Sequence, residues 1–258
     1  MGFLNRLFGP PSTPAPALVT SHAAKDSTPV YPMIKAGAWG PLPYAEHHPF
    51  VTVDGKVELA VVFAQDAGEN FEYLTPSDLE NPAIHANFAK WQANIDAYPF
   101  ELEVSQVLNK RVLFGSGEDH SSEKILSPAF LSQACQLLNT DRLIISIPRR
   151  RCLMLTSYYE EYSLLESFFQ AHFRAWGEEE YGNELITEMV FLANAEQVQY
   201  AIPLGFRLTT MERDGQQHLL YTTMEDSLLA GGRINFQQIM ETHKIPVTPP
   251  GYGSWPVA

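Results

Sequence analysis

Apolar and polar positions alternate most clearly between Asp141 and Gly177. Leu143, Ile145 and Ile147 point one way and Ile144 and Ser146 the other; after a turn at Pro148, Arg149 and Arg150, an apolar run resumes from Cys152 to Leu155. So little polar interruption predicts two strands covered on both faces. Ser157 with Glu160 three residues on predicts a capping box opening a helix, and Tyr158, Tyr162, Leu165, Phe169, His172 and Trp176 form its apolar stripe. Gly177 supplies the stop.

The same reading extends along the chain. Asp54 and Gly55 between valine-rich runs predict a hairpin, leading into a strand from Val57 to Phe63 and another from Phe71 to Leu74. Asn81 and Pro82 predict one helix, with Ile84, Phe88, Trp91 and Ile95 as its buried stripe and Pro99 as its end. Strands follow around Phe100 to Val104 and Arg111 to Phe114. Ser127 and Pro128 then open a helix carrying Phe130, Leu131, Ala134, Cys135 and Leu138. After the long helix come strands around Glu188 to Ala193 and Val198 to Leu204, a hairpin at Asp214 and Gly215, and a last helix near Asn235 to Thr242.

The order strand, strand, helix, strand, strand, helix therefore occurs twice. It predicts an α+β fold of two successive halves, with antiparallel sheets packed against helices. The expected division is a flexible Pro-rich tether over 1–29, a first half over 30–139, a second over 140–245, and an extended tail over 246–258 with Tyr252 and Trp255. Within the tether, Phe3, Leu4, Leu7 and Phe8 form a short apolar segment.

Composition narrows the function classes. Thirty acidic against 17 basic residues leave a net charge of −13, which opposes nonspecific nucleic-acid binding. No apolar run approaches a membrane span. The two cysteines, Cys135 and Cys152, lie in apolar elements, and the start carries no signal-peptide pattern. Together these predict a soluble, cytoplasmic protein with buried thiols.

From Leu143 to Leu155 an apolar strand ends in Pro148, basic residues fill the turn, and a second apolar strand follows. This pattern resembles the YtpQ-like bacterial proteins, as do Leu59 to Asp66 followed by Tyr73 and Leu74. The resemblance covers roughly Val57 to Leu204 in order and spacing. It implies a cytosolic bacterial protein and brings no established activity, so no site residue is transferred.

Two polar stretches remain as candidate chemistry. Asp119 orienting His120 as a base, with Ser121 or Ser122 as nucleophile, is the hydrolase reading. Adjacent side chains on an extended segment point apart, so sequence order alone builds no triad. Gly115 and Gly117 lack the Gly-Lys-Ser/Thr continuation of a phosphate loop. His47, His48, Glu118, Asp119 and His120 lack the spacing of a metal set, so neither a metal nor another cofactor is expected. His172, on an apolar helical face, reads as a hydrogen-bonded core histidine.

Arg149, Arg150 and Arg151 form the second stretch, a candidate binding tip for a phosphate or carboxylate. Alternation would bring Arg149 and Arg151 together while Arg150 points elsewhere. The competing reading leaves the tip in water or pairs it with Glu178, Glu179 and Glu180. Three functions follow: a non-catalytic interaction or adaptor protein first, then a hydrolase at Asp119 and His120, then an acidic inhibitor of a basic protein.

Overall fold

The computed structural model describes residues 27–67, 70–106, 108–116, 119–177, 183–203, 207–213, 216–222 and 236–251. The first 26 residues of the expected tether, Gly117, Glu118, Glu178 to Glu180, Asp214, Gly215, Tyr252 and Trp255 lie outside them.

The architecture is α+β with antiparallel sheets. Its first sheet is built from β1 (Val30–Ala36), β2 (His47–Val53), β3 (Lys56–Asp66) and β4 (Phe71–Tyr73). β3 lies between β1 and β2, and its last residues also pair with β4. Asp54 and Gly55 turn β2 into β3 with φ values of 48° and 76°, the left-handed geometry that a tight hairpin turn requires. The expected hairpin is therefore present.

Asn81 accepts a hydrogen bond from the Ala83 N–H and opens α1 (Pro82–Phe88). The single helix expected from here is two, because the chain breaks at Ala89 and Lys90 before α2 (Trp91–Ala97). Ile84, Phe88, Trp91 and Ile95 are nonetheless all buried, so the break redirects the helix without losing the stripe. β5 (Leu102–Val104) and β6 (Val112–Ser116) follow, then α3 (Pro128–Leu138). Ser127 caps α3 by accepting from the Phe130 N–H, and Asn139 closes it in the left-handed region.

The central hairpin is β7 (Leu143–Ser146) and β8 (Cys152–Ser157), and every residue of both strands is buried. The rest is α4 (Tyr162–Gly177), β9 (Val190–Ala193), β10 (Val198–Ile202), β11 (Arg207–Arg213), β12 (Gln216–Thr222), α5 (Phe236–Thr242) and β13 (Ile245–Pro246). The large sheet runs β13, β10, β9, β7, β8, β6, β5, while β11 and β12 pair with each other. Strand pairing thus crosses the division placed between 139 and 140, since β6 pairs with β8 from Val112 opposite Thr156 to Ser116 opposite Cys152.

The period-2 pattern explains the layers. Leu143, Ile145, Ile147, Leu153 and Leu155 join one core with Phe50, Phe63, Trp91 and Phe130, from the first sheet and α1 to α3. Ile144, Cys152 and Met154 face a second core, under Leu165, Phe168 and Phe169 of α4 and Phe236 and Met240 of α5. Each fully buried side chain of this kind contributes about 2 kcal/mol before the entropy of ordering is subtracted.

α4 begins five residues later than the expected cap. Ser157 ends β8, Leu164 and Leu165 bond back to the Glu161 carbonyl, and the Glu160 carboxylate pairs with Arg111 at 2.9 Å. The capping box is not formed, because an ion pair with the exposed Arg111 takes the buried glutamate that would have closed it. The tail lies along the body as far as it is described: β13 pairs with β10, and Val247 bridges to Val51.

Candidate functional site

The two polar stretches of the sequence meet in one seam. On one side is β1, which pairs only with β3 among the described residues and so leaves an outer edge. Pro32 lies within β1, as suits an edge strand, because proline has no N–H to give a neighbour. Across from this edge run Asp119 to Leu126, ending in a short 3-10 turn from Ser122. The third wall is the turn between β7 and β8, whose Pro148 carbonyl and Arg150 N–H pair with Ile186 and Glu184.

Side chains substitute for a missing strand along the β1 edge. Asn94 of α2 donates to the Val30 carbonyl at 2.9 Å, and Glu123 Oε1 accepts from the Ile34 N–H at 3.1 Å. His120 bonds the Pro32 backbone between them. Alternate residues of one strand edge are thus satisfied in turn, which backbone groups removed from water require.

The environment of His120 fits this role. Its ring is 1% exposed, stacks on Tyr31 at 4.5 Å, and meets Tyr98 and Phe71 edge-on. Burial first, then the Arg150 and Lys124 charges, lower its pKa to about 4, against the opposing pull of Asp119 and the Pro32 bond. Glu123 is fully buried, and burial raises its pKa against the nearby charges of Arg150 and Lys35. Lys124 donates to the Ile95 and Tyr98 carbonyls at 2.7 Å, closing the C-terminal end of α2.

The hydrolase geometry is not formed. The Asp119 carboxylate is engaged by Nε and Nη2 of Arg151 rather than by His120. The Ser122 hydroxyl donates to the Arg149 carbonyl, and Ser121 is buried beside it. Gly115 sits in β6, where an added Cβ would lie 2.0 Å from the Phe100 ring; that close approach explains the glycine without any ligand.

The arginine tip is likewise not a solvated fork. Arg149 is 6% exposed and donates to the carbonyls of Ala175, Trp176 and Asn183, closing the end of α4. Arg151 turns toward Asp119, so the expected convergence of Arg149 and Arg151 does not occur. The cause is the turn itself: Arg151 has φ 60°, which breaks the alternation of an extended strand. Arg150 lies over the Phe71 ring at 4.9 Å, beside Glu184.

Lys35 and Glu184, which the sequence did not single out, form a further ion pair of the seam at 2.6 Å. The Lys35 ammonium also lies over the rings of Trp39 and Tyr73. Elsewhere, His172 is buried as expected, paired through Nδ1 with Ser146 and through Nε2 with the Glu188 carbonyl. His47 and His48 bond the carbonyls of Ala45 and Thr248. Among the described residues, no three His, Cys, Asp or Glu side chains gather as a metal set, and no helix is long and apolar enough to cross a membrane.

Comparison of the chain with protein-family models, curated proteins and solved structures returns no match.

Proposed function

We propose that this chain is a non-catalytic interaction protein of the bacterial cytoplasm, related to the YtpQ-like proteins. One observation carries the reading: the residues best suited to catalysis are committed to holding the fold. Asp119 is held by Arg151, Ser122 by the Arg149 carbonyl, and His120 bridges a strand edge from within an aromatic enclosure. A general base must reach the proton that it removes, and this imidazole is closed off by Tyr31, Tyr98 and Phe71. Two buried, free cysteines suit a reducing compartment. The net charge of −13 favours partners with basic surfaces.

The test is a paired assay on the full chain. Immobilised protein is expected to retain one partner at a stoichiometric level, with no ester, phosphoester or peptide turnover that separates wild type from His120→Asn. Turnover present in the wild type and lost in a folded His120→Asn protein would establish the hydrolase reading instead.

A further inference from the structure

A cleft of about 890 Å³ opens at the end of the β7–β8 hairpin opposite its arginine turn. Its walls include Cys135 and Leu138 of α3, Asp141 between α3 and β7, Ser157 at the end of β8, Tyr159 beyond it, and Arg111 just before β6. The volume falls within the roughly 300–1,000 Å³ of ligand pockets, so there is room for more than a single ion.

Arg111 is anchored at one nitrogen only. Its Nε meets Glu160 Oε1 at 2.9 Å, where the Glu160 side chain is 1% exposed and that of Arg111 is 58% exposed. Among the described residues, Nη1 and Nη2 make no hydrogen bond. A buried acid is costly to keep for an exposed cation, because such a pair adds little stability. It does fix the direction of the guanidinium, whose two terminal nitrogens remain as a fork that matches a carboxylate.

The other walls define the rest of the ligand. Tyr159 is 62% exposed, braced edge-on by Tyr158 at 5.3 Å, with its N–H bonded to Ser157 Oγ. With Leu138 it supplies apolar surface. Asp141 follows the end of α3, whose last carbonyls add negative partial charge, so this wall selects a cation. Val112 lies opposite Thr156, and Leu143 opposite Ser157. Arg111 and the start of β7 therefore flank Ser157, two strand spacings or roughly 10 Å apart, which an extended chain covers in about three residues.

We infer that this cleft binds the carboxyl end of a partner polypeptide. The terminal carboxylate sits on Arg111, the last side chain is apolar and lies on Tyr159 and Leu138, and a basic side chain about three residues upstream meets Asp141. A single carboxylate fits better than a phosphate, because Asp141 shares the space and opposes a doubly charged group. The proposal rests on the interaction reading and gives its partner a chemistry.

The experiment is fluorescence anisotropy, with the full chain titrated into fluorescein-labelled Gly-Gly-Lys-Ala-Ala-Leu made as the free carboxylate or as its C-terminal amide. The carboxylate is expected to bind about ten- to a hundredfold more tightly than the amide. Arg111→Gln abolishes that preference, while Asp141→Asn weakens the carboxylate peptide severalfold and keeps the preference. Tyr159→Ala changes an exposed ring and weakens both forms alike; it localises binding to the cleft should Arg111→Gln fail to fold. No saturable binding of the carboxylate peptide, equal binding of the amide, or a preference that survives in folded Arg111→Gln overturns the site. Leucine competing as well as the unlabelled peptide also overturns it, by showing a small-carboxylate pocket instead. Equal retention of a stoichiometric partner by wild type and Arg111→Gln would remove this site alone and leave the interaction reading standing.

Discussion

Arg149→Met is expected to lower the unfolding free energy by about 3–5 kcal/mol, although the residue sits in a turn that sequence reading places at the surface. The guanidinium is 6% exposed, and its Nε, Nη1 and Nη2 donate to the carbonyls of Ala175, Asn183 and Trp176. Two of these carbonyls belong to the last residues of α4, where no further helical N–H is available. Methionine keeps much of the aliphatic volume but makes none of the bonds, leaving buried acceptors unpaired. Arg149→Lys keeps the charge but not the fork, so it should recover only part of the loss. Urea unfolding of both variants supplies the measurement. A loss below about 1 kcal/mol for Arg149→Met would show that the helix end is satisfied in some other way.

Phe169→Ala should cost a similar amount, about 3–5 kcal/mol. Phe169 is fully buried between α4 and the large sheet, with its ring 5.7 Å from Phe168 and 4.7 Å from Phe236. The cavity therefore opens between helices as well as above the sheet, and it loosens α5 from its support. Phe169→Leu should cost roughly half as much, because most of the lost volume is restored. Urea unfolding monitored by tryptophan fluorescence gives the two values. A loss under about 1 kcal/mol for the alanine variant would place this face of α4 outside the core.

These variants mark where sequence reading succeeded and where it stopped. Periodicity located the double-faced hairpin, because a strand with no polar face has only a two-sided core to occupy. The caps at Asn81 and Ser127 were legible because each satisfies an orphan N–H within three residues. Ser157 and Glu160 had the spacing of a capping box, but Arg111, 49 positions before Glu160, holds the carboxylate. Local rules do not register such a distant competitor. The arginine turn failed for the same reason: Arg149 bonds residues 26 to 34 positions away, and Arg151 bonds Asp119, 32 positions back. Pro32 did carry a usable signal, since proline inside a strand marks an edge, and that edge needs acceptors and donors from elsewhere. Its partners, Asn94, His120 and Glu123, come from separate segments, and only folding brings them together.

The central claim is that the polar seam holds the fold together, and the unfolding free energy of His120→Asn and Glu123→Gln tests it most directly. Residues kept for catalysis are often retained at some cost to stability, so their replacement commonly leaves a protein as stable or more stable. Residues that complete a strand edge behave in the opposite way. His120→Asn should lose the bridge to Pro32 and the stack on Tyr31, and Glu123→Gln should weaken the bond to Ile34. Each variant is predicted to lose about 1–3 kcal/mol in urea unfolding at pH 7. Two variants at least as stable as the wild type would contradict the account and return Asp119, His120 and their neighbours to consideration as a catalytic site.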